Sequence, residues 1–214
     1  MDRAEQAGAA PASLRVDQVL ETATRLFTER GYDAASVRDL AAELAMRPSS
    51  LYHHFAGKQH ILFAICFGMQ TDFNARLMPL FNTGKGPVET LRDVVTEQIR
   101  FSLARKGEVL VSIRERRSLP PELRRQVNEL RREYRDAVIA LIEDGRRRRL
   151  FRVADPKLAA MAVLDMIGGL FQWFQPRDDA DRERIIRIYV DAVLALLEGG
   201  QKRPHPAYTL TNAR

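Results

Sequence analysis

The chain has 214 residues, 45% hydrophobic and 29% charged, which excludes a disordered chain and allows one large domain or a small one beside a larger. Its one cysteine, Cys66, excludes an intrachain disulfide and suits a reducing compartment as a small core residue. The net charge of +6 does not by itself point to nucleic acid. Residues 1–60 hold seven Arg/Lys against eight Asp/Glu, while residues 111–152 hold thirteen arginines against seven acids.

Taken in chain order, the sequence predicts an all-α protein with no strand. Residues 1–13 are small and polar, without the apolar core of an export signal, so a disordered arm and a cytoplasmic protein are expected. Val16, Val19, Leu20, Ala23, Leu26 and Phe27 recur at helical spacing, and Gly31 follows as a stop. Ser36 has the chemistry of an N-cap, with Asp39 in the capping-box position. Val37, Leu40, Ala41 and Leu44 give the helix that follows its inner face. A third short helix opens at Pro48 and is expected to end at Gly57, making a three-helix head of residues 14–57.

A long apolar helix is expected from Lys58 to about Leu80, opening an effector-binding and dimerisation body of residues 58–199, with a tail at 200–214. After Pro120 and Pro121, a stripe of Leu123, Val127, Leu130, Tyr134, Val138 and Leu141 marks another helix. Its opposite face carries Arg124, Arg125, Arg131, Arg132 and Arg135, interleaved with acids. Leu158–Phe174 and Ile185–Leu197 are apolar nearly all round and must be covered on every side. A second copy of the chain is the simplest cover, with Leu164, Ile167, Phe174, Ile186, Tyr189, Val190, Val193 and Leu197 at the seam. A membrane span is disfavoured, because the first of these segments is short and interrupted by Asp165. That carboxylate, in an apolar helix, is expected to be buried and paired.

The stretch from Ser36 to Lys58 reads as two short helices joined by a tight turn, the arrangement that places a second helix in the DNA major groove. Pro48, Ser49 and Ser50 are small enough to let the backbone approach base edges, and the serines can donate or accept there. Tyr52 and His53 follow, suited to phosphate contact or to packing on a thymine methyl. Arg38 is long enough to reach a guanine edge, and Lys58 opens the next helix where its ammonium can meet a phosphate. Leu51 and Phe55 face inward onto Val37 and Leu40. The adjacent His53 and His54 point about 100° apart on a helix, so they do not form a metal site, and none is expected.

These residues resemble the TetR family of one-component bacterial repressors. The resemblance rests on Ala23, Leu26, Phe27, Gly31 and Tyr32, then on Ser36 to Ala41, Leu51 to Phe55 and Lys58, all in order. It implies a homodimer that binds palindromic operator DNA and releases it when the body takes up a small effector. Carried over residue by residue, it implies backbone contacts for Ser36, Tyr52, His53 and Lys58 and base readout for Arg38, Arg47, Pro48 and Ser49. Two positions depart from the pattern: Ala45 stands where a turn glycine is usual, and Arg47 stands where a Ser or Thr cap is usual.

The segment from Gly168 to Pro176 is similar to one in repressors of fatty-acid and steroid catabolism that respond to acyl-CoA thioesters. A pocket lined by Phe101, Ile113, Tyr134, Met166, Gly169, Phe171 and Trp173 is expected, for an acyl-CoA or another apolar effector. The run Arg146–Arg149 has the charge a coenzyme A head group wants, and equally the character of a solvated helix end. An enzyme is disfavoured: the sequence has no Gly-rich phosphate loop, nucleophile elbow or ligand cluster, and no cofactor is expected. A purely helical interaction module explains the apolar stripes but not the Ser49-Ser50-x-Tyr52-His53 face. A drug-responsive efflux repressor remains the other alternative.

Overall fold

The computed structural model describes residues 12–199, so most of the expected arm and the tail at 200–214 lie outside it. Among the described residues there are nine α-helices and no strand: α1 Ala12–Arg30, α2 Val37–Glu43, α3 Pro48–Tyr52, α4 Lys58–Leu77, α5 Pro87–Ala104, α6 Lys106–Glu115, α7 Pro121–Arg147, α8 Pro156–Trp173 and α9 Asp179–Glu198. Two short 3₁₀ segments, Met78–Asn82 and Arg116–Ser118, follow α4 and α6.

The boundaries follow local chemistry. α1 stops at Gly31, whose φ of +83° is a left-handed conformation that costs glycine nothing. Ser36 caps α2 as expected: its Oγ accepts from the Asp39 N–H at 3.1 Å, and the Asp39 carboxylate accepts the Ser36 N–H at 2.8 Å. The turn after α2 holds Ala45 at φ +49°, so the missing glycine leaves some strain in an alanine there. α8 and α9 open on aspartate caps, Asp155 and Asp178, whose carboxylates accept backbone N–H groups at 2.7–3.0 Å.

Two boundaries differ from expectation. α3 has five residues and ends at Tyr52, not Gly57, and Gly57 instead immediately precedes α4. A helix that short has no stability of its own. It is held by Leu51, fully buried against the head, with Phe55 packed beside it. The fourth helix gives way to 3₁₀ geometry at Met78, next to Pro79.

Two hydrophobic clusters organise the molecule. The first joins Val19, Ala23, Leu26, Phe27, Leu40, Leu51, Ile61, Leu62, Ile65 and Cys66 with Val111, Leu119 and Val127 of the body. The second lies among α4, α5, α7, α8 and α9 and includes Phe73, Ile99, Val138, Ile167, Val193 and Leu197. Burial pushes the Cys66 thiol up to about 11, as suits a core thiol rather than a reactive one. α1 and α6 approach closely at Gly107, where a Cβ would lie 3.0 Å from the Thr24 methyl.

Six of the eight residues expected at the dimer seam are buried within the chain itself: Ile167, Phe174, Ile186, Val190, Val193 and Leu197. Leu164 and Tyr189 are partly buried against the same core. The helices are apolar nearly all round, and the chain's own core takes the face assigned to a partner. What stays exposed is a neighbouring stripe: Leu158, Ala162, Asp165 and Trp173 on α8, and Ile188, Ala192, Ala195 and Leu196 on α9.

One further contact is tight enough to test. The fully buried Phe151 ring occupies the space where a Gly145 side chain would be, with ring atoms 2.1 and 2.3 Å from an ideal Cβ. Gly145→Ala is expected to lose about 1–3 kcal/mol of stability, read from urea unfolding of the full chain.

Candidate nucleic-acid interface and ligand cavity

α3 presents an open outer face. Arg47, Pro48, Ser49, Tyr52 and His53 are exposed and Ser50 is half-buried, while Leu51 alone turns inward. Tyr52 is 56% exposed, which no core role explains. Arg38 projects from α2 on the exposed side, and among the described residues neither Arg38 nor Arg47 has a side-chain partner. Arg47 occupies the N-cap position without a capping side-chain bond, so its guanidinium remains free for a ligand. The structure therefore brings Arg38, Arg47, Pro48, Ser49, Ser50, Tyr52 and His53 to an accessible surface of the head.

Ser36 and Lys58 are placed differently. The Ser36 hydroxyl donates to the Asp39 carboxylate at 2.6 Å, so its single proton is already committed within the cap. That hydrogen bond and the backbone one hold the Asp39 carboxyl below the usual carboxylate range. Lys58 is engaged within the protein. Its Nζ donates to the carbonyls of Tyr32 at 2.6 Å and Ala35 at 2.9 Å, and lies 4.1 Å from the Tyr32 ring centroid. The ammonium staples the start of α4 to the loop after α1, because those carbonyls have no helical partner there.

A cavity of ≈ 800 Å³ opens among α4, α5, α6, α7 and α8. Ile113, Tyr134, Gly169 and Phe171 line it, as expected from the sequence. Phe101 is buried in the core beside it, Met166 packs against that core, and Trp173 is 65% exposed, so these three do not form its wall. Tyr134 donates to Gln98 Oε1 at 2.7 Å inside the cavity, and burial pushes its phenol pKa far up. Asp165 also lines the cavity and is exposed, so the premise of a buried, paired carboxylate does not hold. Gly168 and Gly169 also line the cavity and have open space where side chains would project.

Sequence reasoning missed the cavity's polar wall. Asn128, Arg131, Arg132 and Arg135 recur at i, i+3, i+4 and i+7 on α7 and all line it, and Arg116 joins them from the 3₁₀ segment after α6. The spacing was visible in the sequence as a continuous face, but the interleaved acids gave it the look of a solvated one. The expected Arg146–Arg149 run lies elsewhere, exposed at the C-terminal end of α7. There Arg146 pairs with Glu143, and Arg147 and Arg148 with Asp144, at 2.8–2.9 Å. Among the described residues no cluster of His, Cys, Asp and Glu has the makings of a metal site, and no helix is long and apolar enough to cross a membrane.

An outward recognition-type helix on a small head, fused to a helical body with its own cavity, defines a helix-turn-helix protein of the ligand-responsive kind. The model of bacterial regulatory proteins of the tetR family matches residues 19–65, and that of the tetracyclin repressor-like C-terminal domain matches residues 84–197. The chain belongs to the TetR family, whose members are regulators and not enzymes. It is 28% identical to the transcriptional repressor KstR2 of Rhodococcus jostii over 193 residues, covering 89% of this chain and 93% of KstR2. Among solved structures it is similar to the regulator PfmR from Thermus thermophilus, at 32% identity and TM-score 0.75 over 82% of this chain and 96% of PfmR. AibR in complex with isovaleryl coenzyme A and operator DNA matches at 28% identity and TM-score 0.74, over 86% of this chain and 97% of AibR.

Lys58→Met tests the staple against a phosphate contact. It is expected to lower stability by about 1–3 kcal/mol through the carbonyls left unpaired. The slope of log affinity for DNA against log salt should stay unchanged, whereas loss of a phosphate contact would reduce it by about 1.

Proposed function

We propose that the protein is a homodimeric transcriptional repressor that binds a palindromic operator through α3 and releases it when a small effector with an apolar body enters the cavity. The observation that carries this reading is the pairing of a free recognition face at Arg38 and Arg47–His53 with a separate ligand-sized cavity in the body. In this reading Arg38, Arg47 and Ser49 read bases, Tyr52 and His53 hold the backbone, and Ser36 acts through the cap that sets the start of α2. An acyl-CoA is the favoured class of effector, supported by the likeness to AibR bound to isovaleryl coenzyme A.

Cavity and head are close enough for coupling. Glu115 Oε1 accepts the Tyr32 backbone N–H at 3.5 Å, and Arg116, the next residue, lines the cavity. A ligand that favours one placement of α6 therefore biases the loop that carries the head, and only differential binding of the two states can shift operator affinity. Coupling of this kind is worth about 5–150-fold in affinity.

The seam of the dimer is assigned to the exposed stripe of Leu158, Ala162, Trp173, Ile188, Ala192 and Leu196, in place of the buried residues expected from the sequence. Apolar surface of this extent on two neighbouring helices needs cover, and a second copy supplies it symmetrically. Ile188→Arg with Leu196→Arg is expected to give a folded monomer by sedimentation.

Gel shift and footprinting on DNA upstream of its own gene test the whole reading. The expected footprint is a near-palindrome with half-sites about one helical turn apart, lost in Tyr52→Ala and in Arg38→Ala. Sequence-blind binding of the wild type would overturn it.

A further inference from the structure

Most arginines on this protein's surface have a carboxylate partner: Arg100 with Glu183, Arg105 with Asp72 and Glu108, Arg76 with Glu97. Of the four arginines that line the cavity, only Arg135 follows that pattern, with Asp136. Arg116, Arg131, Arg132 and Arg135 line it against a single carboxylate, Asp165. Arg116 donates to Asn128 Oδ1, and its Nε is buried with no hydrogen-bond partner. Arg131 has no hydrogen bond or ion pair among the described residues, and it lines the cavity as an exposed side chain. Arg132 reaches the Asn128 carbonyl at 3.3 Å, and Arg135 holds its neighbour Asp136.

Partial desolvation by the surrounding protein lowers the pKa of both Arg116 and Arg131, and the charge of Arg116 lowers that of Arg131 further. Two guanidinium groups on one wall, with no carboxylate of their own, repel one another and favour something negative between them. Ser112, one turn before Arg116 on the cavity wall, adds a buried Oγ with no partner. Elsewhere on the wall Met69, Phe73, Val109 and Phe171 are apolar, and Gln70, Gln98, Ser102 and Gln172 are polar but uncharged.

We infer that the cavity is an oxyanion-selective effector site, in which Arg116 and Arg131, with Ser112, grip a carboxylate or phosphate carried on an apolar body. The planar forks of two arginines match the two or three oxygens of such a group and give short, charge-assisted hydrogen bonds. The apolar body lies along Met69, Phe73 and Phe171. Cationic amphiphiles are rejected by the same pair. The inference rests on the proposed function only in taking the cavity as the effector's site, and it names the chemistry that site requires.

Calorimetric titration of the full chain without DNA tests it, using decanoate, decan-1-ol, decanoyl-coenzyme A and free coenzyme A, with wild type, Arg131→Met and Arg131→Lys. The wild type is expected to bind at least one anionic probe about tenfold or more tighter than decan-1-ol. Arg131→Met should abolish that preference and Arg131→Lys restore part of it. Binding of decanoate identifies a carboxylate as the gripped group, and binding of the coenzyme A compounds alone identifies a phosphate.

Equal affinity for decan-1-ol and every anion, or no anion bound at all, overturns the inference. The gel shift separates the two readings. Operator binding without anion preference leaves the regulator intact and removes this inference, and anion preference without operator binding does the reverse.

Discussion

α4 is buried in two different companies. Ile61, Leu62, Ile65 and Cys66 pack into the head with α1, α2 and α3, and one turn further on Met69, Phe73 and Leu77 pack into the body. A close-packed interior resists deformation, so a helix anchored at both ends moves as one piece. The head completes its own core only by borrowing Val111, Leu119 and Val127 from the body. Lys58 secures the same helix at its first residue by holding the carbonyls of Tyr32 and Ala35. The orientation of α3, which has too few residues to fold unaided, is inherited from this shared rod.

That dependence explains which parts of the sequence were legible. The head was readable because each of its signals is local: apolar spacing in α1, the Gly31 stop, the Ser36–Asp39 cap and Pro48 at the start of α3. The length of α3 was not, because no breaker residue stands at Tyr52 and the first glycine comes only at Gly57. The residues expected at the seam lie inside the chain for a related reason. A helix apolar on all sides does not say which side its own chain will cover, and α8 and α9 gave Ile167 and Val193 to the interior and left Leu158 and Leu196 outside.

The polar side of the cavity was hidden by the opposite ambiguity. Arg131, Arg132 and Arg135 alternate with Glu129, Glu133 and Asp136, so composition alone describes a charged outer surface. In the structure the acids turn away: Glu129 toward Arg125, and Glu133 toward the Asn74 side chain. The arginines are left facing the cavity. Asp165 shows the converse. Its apolar neighbours implied burial, whereas it sits at the exposed edge of the cavity. Charge sign along a helix was readable, but which charges share an enclosed volume depends on helices distant in sequence.

The contact between Gly107 and Thr24 joins these parts mechanically. With no side chain on Gly107, α6 lies directly against the Thr24 methyl of α1, and nothing compressible separates them. A joint of that kind has no backlash. A sub-ångström rotation of α6 reaches the first helix of the head undamped, where a longer residue at position 107 would act as a spring and blunt the response.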